Sequence, residues 1–237
     1  MKFKQLTAWF TGILITLCLT ACDKAPEIIN LSGKTMGTTY SIKYINHGEI
    51  KVKPEQAHEQ IENILKDVND KMSTYIPTSE LSRFNQNTQT NTPVEISADL
   101  AKVIAEAIRL HQVTEGALDI TVGPVVNLWG FGPEKRVEKQ PTPEQLAERL
   151  GWVGIEKIKL IKNSDKATLE KSVPQLYIDL SSIAKGFGVD KVAEYAESIG
   201  VQNYMVEIGG EIRTKGKNLE DKYWQIAIEK PEFDGSR

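Results

Sequence analysis

The sequence has 237 residues, of which 40% are hydrophobic and 26% are charged, and its formal net charge is −3. This is the balance of a soluble globular protein with a substantial core, enough for one large domain or two small ones. The chain has no run of basic residues that would form a nucleic-acid surface, so we do not expect it to bind nucleic acid.

The amino terminus has the pattern of a secretory signal. Lys2 and Lys4 precede an apolar stretch that is shorter than the roughly 20 residues of a spanning helix. The stretch ends in LTAC, which resembles the bacterial lipobox, so residues 1–21 are predicted to be a lipoprotein signal peptide and Cys22 the lipidated residue. The alternative is a signal cleaved elsewhere, with Cys22 incidental. Asp23 resembles an inner-membrane retention signal, which predicts a lipid-anchored protein at the periplasmic face of the inner membrane.

The next residues, 22–34, are interpreted as a tether, and the folded domain is expected over 35–237. The alternating sequence TTYSIKYI, which begins at Thr38, predicts a strand. Pro54 begins a predicted helix, because apolar residues follow it at helical spacing. The polar stretch at 73–93 is predicted to be a loop.

A second helix is predicted to begin after the cap residue Ser97 and to stop at Gly116. Gly116 opens the sequence GALDITVGPVVNLWGFGP. This stretch holds too much glycine and proline for a helix interior and is too apolar for an ordinary surface loop. We therefore expect a long, ordered, apolar loop that carries a single carboxylate, Asp119.

The last part of the chain mixes helices and strands. Thr142 and Gln145 form a predicted capping box for a third helix, and a fourth is predicted from about Ala184 to Ile199. Strands are predicted at KIKLI, QLYIDL, NYMVEI, EIRTKGK and YWQIAIE. Neighbouring strands near the end indicate antiparallel hairpins and an α+β fold. The final alternating strand has no following partner, so the chain is expected to be truncated at its C-terminus.

Familiar catalytic motifs are missing from the sequence. It contains no nucleophile elbow, no P-loop and no zinc-protease motif. Its three histidines, His47, His58 and His111, are far apart. General-base catalysis by histidine is therefore not expected within this chain.

Three further stretches suggest a ligand site, and each has a plain structural alternative. Met36 and Gly37 precede a strand and would allow a close backbone approach, or they are a simple strand entry. Tyr75 could stack on a planar ring, or it belongs to an ordinary turn. The sequence DLSSIAKGFGVDKVAEYA starts a helix with Lys185 beside its N-terminus, which suits a phosphate; the alternative is that its glycines serve close helix packing.

Taken in order, MGTTYSI, STYIPTSELSRFN, GALDITVGPVVNLWGFGP, DLSSIAKGFGVDKVAEYA, YMVEIGGEIRTKGK and WQIAIEKP resemble the ApbE family of FAD:protein FMN transferases. The resemblance implies a T-fold-like α+β domain with FAD as substrate and Mg²⁺ as cofactor. It implies a metal-binding backbone carbonyl at Ala184 and leaves the catalytic residue unknown. The residues that it implies in FAD binding are Met36, Tyr75, Ala117, Leu118, Asp119, Ser181 and Phe187.

The reaction implied by the resemblance transfers FMN from FAD to a threonine or serine hydroxyl of a second protein and releases AMP. Its expected partners are flavoprotein subunits of Na⁺-translocating quinone reductases or Rnf-type complexes. Two alternatives stay open, namely hydrolysis of FAD to FMN and AMP, and a non-catalytic FAD-binding periplasmic lipoprotein. The family's segment resembling HIIDP does not occur here, and neither does its late Asp-Ala-x-x-Thr motif, which supplies metal ligands. This chain alone is therefore expected to be inactive.

Overall fold

The computed structural model describes residues 25–133, 140–163 and 166–228. The predicted signal peptide and the lipidation site at Cys22 lie outside these residues. The described part contains six α-helices and seven strands, which confirms the α+β class. The strands are β1 (Glu27–Thr35), β2 (Thr38–Asn46), β3 (Val94–Ile96), β4 (Ile158–Lys162), β5 (Ala167–Lys171), β6 (Tyr204–Ile208) and β7 (Glu211–Lys215); the helices are α1 (Pro54–Met72), α2 (Glu80–Gln86), α3 (Ala98–Val113), α4 (Gly123–Leu128), α5 (Pro143–Leu150) and α6 (Ala184–Ser198).

Two antiparallel sheets organise the chain. The first has the strand order β1-β2-β6-β7, and the second has the order β3-β5-β4. Helices α1 and α6 pack together and cover the first sheet, because its strands alternate buried apolar residues such as Ile42 and Val206 with more exposed ones. A second hydrophobic cluster joins the second sheet to α3 and to the ends of α1 and α2.

The predicted helices agree well with the structure. Helix α3 begins after Ser97, whose hydroxyl accepts the Leu100 N–H. Helix α5 has the predicted capping box between Thr142 and Gln145. Among the described residues, no helix is both long enough and apolar enough to cross a membrane.

The tether predicted over 22–34 is wrong from Glu27 onward, because β1 pairs with β2 along its whole length. The sequence of β1 looks polar, but Ile29 and Leu31 face the core. Gly33 lies under the ring of Tyr40, and a Cβ atom there would lie 2.6 Å from the Tyr40 hydroxyl. The glycine that weakens the strand signal is therefore required by the packing.

Two predicted loops contain short helices. Helix α2 lies within 73–93, capped by Ser79 and held by the buried Leu81 and Phe84. Helix α4 lies within the apolar loop and begins with Gly123 and Pro124. Proline is tolerated in a first helical turn, where its missing N–H has no intrahelical partner to lose.

Two predicted strands do not form among the described residues, and besides β1 two observed strands were not predicted. In QLYIDL only Tyr177 forms a bridge, with Val122, and in the described residues 223–228 of YWQIAIE only Tyr223 forms one, with Lys217. A strand requires a continuous partner, which alternation in one segment does not guarantee. Strands β3 and β5 were missed because they are short and partly polar.

Candidate functional site

A cavity of about 670 Å³ lies where three separate parts of the chain meet. These are the β1–β2 turn, the C-terminal end of α1 with the segment that follows it, and the segment before α6 together with the first turn of α6. Its lining residues are Met36, Gly37, Val68, Asn69, Met72, Ser73, Thr74, Tyr75, Ile76, Asp179, Leu180, Ser181, Ala184 and Lys185. This size is within the range of small-molecule and cofactor pockets.

The β1–β2 turn brings Met36 to the cavity. Met36 and Gly37 have φ angles of 50° and 73°, and left-handed angles at both central residues are typical of a two-residue hairpin turn. Methionine is uncommon in this conformation. Its side chain reaches α6, where a Cβ on Gly188 would lie 3.0 Å from the Met36 Cε, so the glycine keeps space for the methionine.

Tyr75 stands at the rim of the cavity. Its side chain is 62% exposed, and its hydroxyl donates a hydrogen bond to the carbonyl of Phe131 at 2.9 Å. Phe131 belongs to the end of the apolar loop and is itself exposed. The exposed Tyr75 ring therefore offers aromatic surface at the cavity, which suits stacking on a planar ring system.

The segment before α6 and the first turn of α6 bring charged groups to the cavity. The Asp179 carboxylate accepts the Ser181 N–H at 2.8 Å, which forms a tight turn just before α6. Lys185 follows in the first turn of α6, and its Nζ lies 2.9 Å from the Glu211 carboxylate and 3.3 Å from the carbonyl oxygen of Gly209. The positive end of the α6 dipole and a lysine thus adjoin the same cavity.

Four of the predicted site residues line the cavity and four do not. Those that line it are Met36, Tyr75, Ser181 and Ala184, and those outside its lining are Ala117, Leu118, Asp119 and Phe187. Phe187 is 7% exposed within the hydrophobic cluster of α3, with the Lys102 ammonium over its ring. The roles of all eight in binding flavin or metal stay predictions.

Asp119, the single carboxylate of the apolar loop, organises the loop itself. One carboxylate oxygen accepts hydrogen bonds from the N–H of Thr121 at 2.8 Å and from its hydroxyl at 2.6 Å. The Thr121 hydroxyl in turn accepts the Gly154 N–H at 2.7 Å. The backbone carbonyl of Ile120, which directly follows Asp119, accepts the Asp179 N–H at 2.8 Å. The loop is thereby joined to the cavity wall through its backbone.

Sequence reasoning missed several polar residues of the cavity, among them Asn69 and Asp179. The amide of Asn69 donates to the Thr35 hydroxyl at 3.0 Å and to the Leu65 carbonyl at 2.9 Å, which ties α1 to the end of β1. A polar residue in the last turns of an amphipathic helix gives no sequence signal of such a contact. Asp179 could have been found, because an acid between an apolar run and a helix is a typical turn residue.

Comparison with known proteins adds independent evidence. The sequence model of the ApbE family matches residues 36–237. A relative from Haemophilus influenzae named FAD:protein FMN transferase is 69% identical over 234 residues, which cover 99% of this chain and 68% of the relative. A relative of the same name from Vibrio cholerae is 52% identical over 226 residues, which cover 95% of this chain and 66% of the relative.

Solved structures agree with these matches. The flavin transferase ApbE from Vibrio cholerae superposes with a TM-score of 0.82 at 54% identity, covering 89% of this chain and 66% of that one. The apo flavinyl transferase ApbE from Pseudomonas stutzeri gives a TM-score of 0.79 at 33% identity, with 86% and 66% covered. The chain thus spans about two thirds of these proteins, and it belongs to the ApbE family.

Proposed function

We propose that this protein is an FAD:protein FMN transferase, which moves FMN from FAD to a threonine or serine hydroxyl of a target flavoprotein. One observation carries the proposal: a single cavity gathers Met36, Tyr75, and the neighbouring Ser181 and Ala184 from three distant parts of the chain. The family resemblance had assigned three of them to flavin and one to metal. The most similar relatives reported above bear the name of this activity.

The proposed reaction breaks the phosphoanhydride bond of FAD and forms a phosphoester bond to the acceptor protein. The acceptor hydroxyl oxygen forms a bond to the phosphorus on the FMN side of the pyrophosphate, and the P–O bond to the AMP side breaks. AMP leaves with the electron pair, and the hydroxyl proton is released. Catalysis of such a transfer depends mainly on positioning and on compensating the phosphate charge.

The first turn of α6 offers positive charge for the pyrophosphate at the cavity. The first turn of α6 contributes Ala184 and Lys185 to the cavity, and α6 is 15 residues long. A helix N-terminus with a neighbouring lysine attracts anionic groups. We place the pyrophosphate at this end of the cavity and the planar ring near Tyr75.

The oxygen atoms at the same end have the chemistry that magnesium prefers. The carbonyl of Ala184 and the carboxylate of Asp179 both belong to cavity-lining residues, and a magnesium site commonly combines one or two carboxylates with substrate phosphates and water. No group of three acidic, histidine or cysteine side chains able to hold a metal occurs in the described part of the chain. When bound, the cation would neutralise charge on the pyrophosphate.

The test is to incubate the protein with FAD, Mg²⁺ and an acceptor domain, and to follow AMP release and a fluorescent flavin adduct in a denaturing gel. A transferase gives both products in equal amounts, and Tyr75→Ala is expected to weaken FAD binding by about tenfold because an aromatic stacking surface is lost. Tyr223→Ala is the matched control, since Tyr223 is also exposed and is outside the cavity lining.

The outcomes separate the candidate functions. AMP release without an adduct would identify an FAD-hydrolysing enzyme, and FAD binding without AMP release would identify a flavin-binding protein. Absence of FAD binding would contradict the whole proposal. Na⁺-translocating quinone reductase and Rnf-type flavin subunits are the acceptors that we propose to use.

We also propose that the protein is anchored at the periplasmic face of the inner membrane through Cys22. The support is the lipobox-like LTAC at the end of the short apolar stretch. One acyl chain gives marginal membrane binding, whereas two or more anchor a protein stably. Cys22→Ser is expected to move the protein from the membrane pellet to the soluble fraction, with wild type fractionated in parallel; retention in the pellet would contradict the anchor.

A further inference from the structure

One side of the cavity is formed by a segment that belongs to neither sheet. We call residues 176–181 the wall segment; its last three residues line the cavity. Leu176 and Ile178 within it are completely buried. Buried backbone groups require hydrogen-bond partners, so the groups that pair with the wall segment determine where this side of the cavity stands.

Asn85 provides two of these partners. It lies near the end of α2 and is 7% exposed. Its Nδ2 donates to the carbonyl of Ile178 at 2.9 Å, and its Oδ1 accepts the N–H of the same residue at 2.8 Å. A residue of a neighbouring antiparallel strand makes this same pair of bonds. One asparagine side chain therefore takes the place of a strand beside the wall segment.

Lys171 supports the same arrangement from the other side. It is 2% exposed at the end of β5. Its ammonium donates to the backbone carbonyl of Asn85 at 3.0 Å and to that of Leu176 at 3.2 Å, and it lies 5.5 Å from the centre of the Phe84 ring. The lysine thus joins the end of α2 to the start of the wall segment.

We propose that Asn85 is a positioning residue for the flavin site, which sets the place of Asp179 and Ser181 through its paired hydrogen bonds to Ile178. This inference rests on the proposed function, because one of its two measurements is the binding of FAD. Asn85 is not in the cavity lining, and it acts through the wall segment. Lys171 has the same role by fixing the backbone of Asn85 relative to Leu176.

The bonding pattern explains why asparagine is needed. An aspartate has the same shape but no N–H, so it would leave the Ile178 carbonyl without its donor and place a carboxylate oxygen against it. A buried acceptor without a partner is costly. The bond from the Asp179 N–H to Ile120 remains, so the wall segment should move at Ile178 while the rest of the fold persists.

The experiment compares Asn85→Asp with Val206→Ala in the full 237-residue chain. Val206 is fully buried in the first sheet, so its truncation lowers stability without touching the wall segment. FAD dissociation constants are measured by flavin fluorescence at a temperature where circular dichroism shows both variants folded. We expect Asn85→Asp to weaken FAD binding by about tenfold or more, and Val206→Ala to change it by less than about twofold.

Hydrogen exchange provides a readout that does not depend on FAD. Amides of the wall segment are expected to exchange faster in Asn85→Asp than in Val206→Ala at matched melting temperature. If Asn85→Asp does not fold, Lys171→Met is used in its place, since it keeps the apolar stem and removes both bonds to carbonyls.

Two failures can be told apart. Wild-type protein that does not bind FAD would overturn the proposed function and with it the flavin readout. Wild-type binding that is unchanged in the Asn85 or Lys171 variant, or wall-segment exchange equal to that of Val206→Ala, would overturn the positioning role alone.

Discussion

Replacing Gly123 with alanine is expected to lower the free energy of unfolding by about 2–3 kcal/mol. A Cβ at this position would lie 2.5 Å from the Tyr177 Cδ1 and 2.6 Å from the Tyr177 carbonyl oxygen, much closer than atoms approach without bonding. The backbone on one side must move, because a carbonyl oxygen cannot turn away as a flexible side chain can. The affected residue lies in the wall segment, so the cavity should change shape as well.

Gly186→Ala is the matched control for this prediction. Gly186 is in the first turns of α6, and a Cβ there would meet no atom within 4 Å. Alanine in a helix is favoured over glycine by about 0.5–1 kcal/mol, so this variant should be as stable as wild type or slightly more stable. Urea unfolding of the three proteins measures the difference, and equal stability of the two variants would contradict the close approach at Gly123.

The second prediction concerns pH. Burial lowers the pKa of Lys171 from its usual value of 10.5 to about 8. Between these pH values the unfolded chain binds more protons than the folded one, so the stability contributed at this residue rises with pH. Relative to Lys171→Met, the wild type should gain about 2 kcal/mol of unfolding free energy between about pH 7.5 and pH 10.

Comparing wild type with Lys171→Met at each pH cancels the titration of the other groups. Lys159→Met gives the baseline, because Lys159 lies on the exposed face of β4 beside β5. Unfolding by urea at five or six pH values is sufficient. If the difference in unfolding free energy between wild type and Lys171→Met stays constant across this pH range, folding does not lower the pKa of Lys171 and the prediction is wrong.

The local features of this protein could be predicted from its sequence. Helix α1 follows from Pro54 and the apolar residues at helical spacing, and the capping box at Thr142 marks α5 to the residue. The ordered motifs also identified the family, which the comparisons confirm. These features depend on residues close together in the sequence, where capping, periodicity and turn chemistry act.

Two of the errors share a cause, which is that the hydrogen-bond or packing partner of the segment is distant in the sequence. The segment predicted to be a tether forms β1, because it pairs with β2 and because Gly33 makes room for Tyr40. The predicted strand QLYIDL is held largely by an asparagine side chain 93 residues away.

In the candidate site, too, the sequence predicted the residue types and only the fold determined which of them lie together. Sequence singled out Met36, Tyr75, Ser181 and Ala184, but only the folded chain places them around one cavity. It also shows Asp119 bonded within its own loop and Phe187 inside the core. Residue type and local pattern fix what a side chain can do, whereas its neighbours are decided by packing between elements far apart in the chain, and packing leaves no local signal.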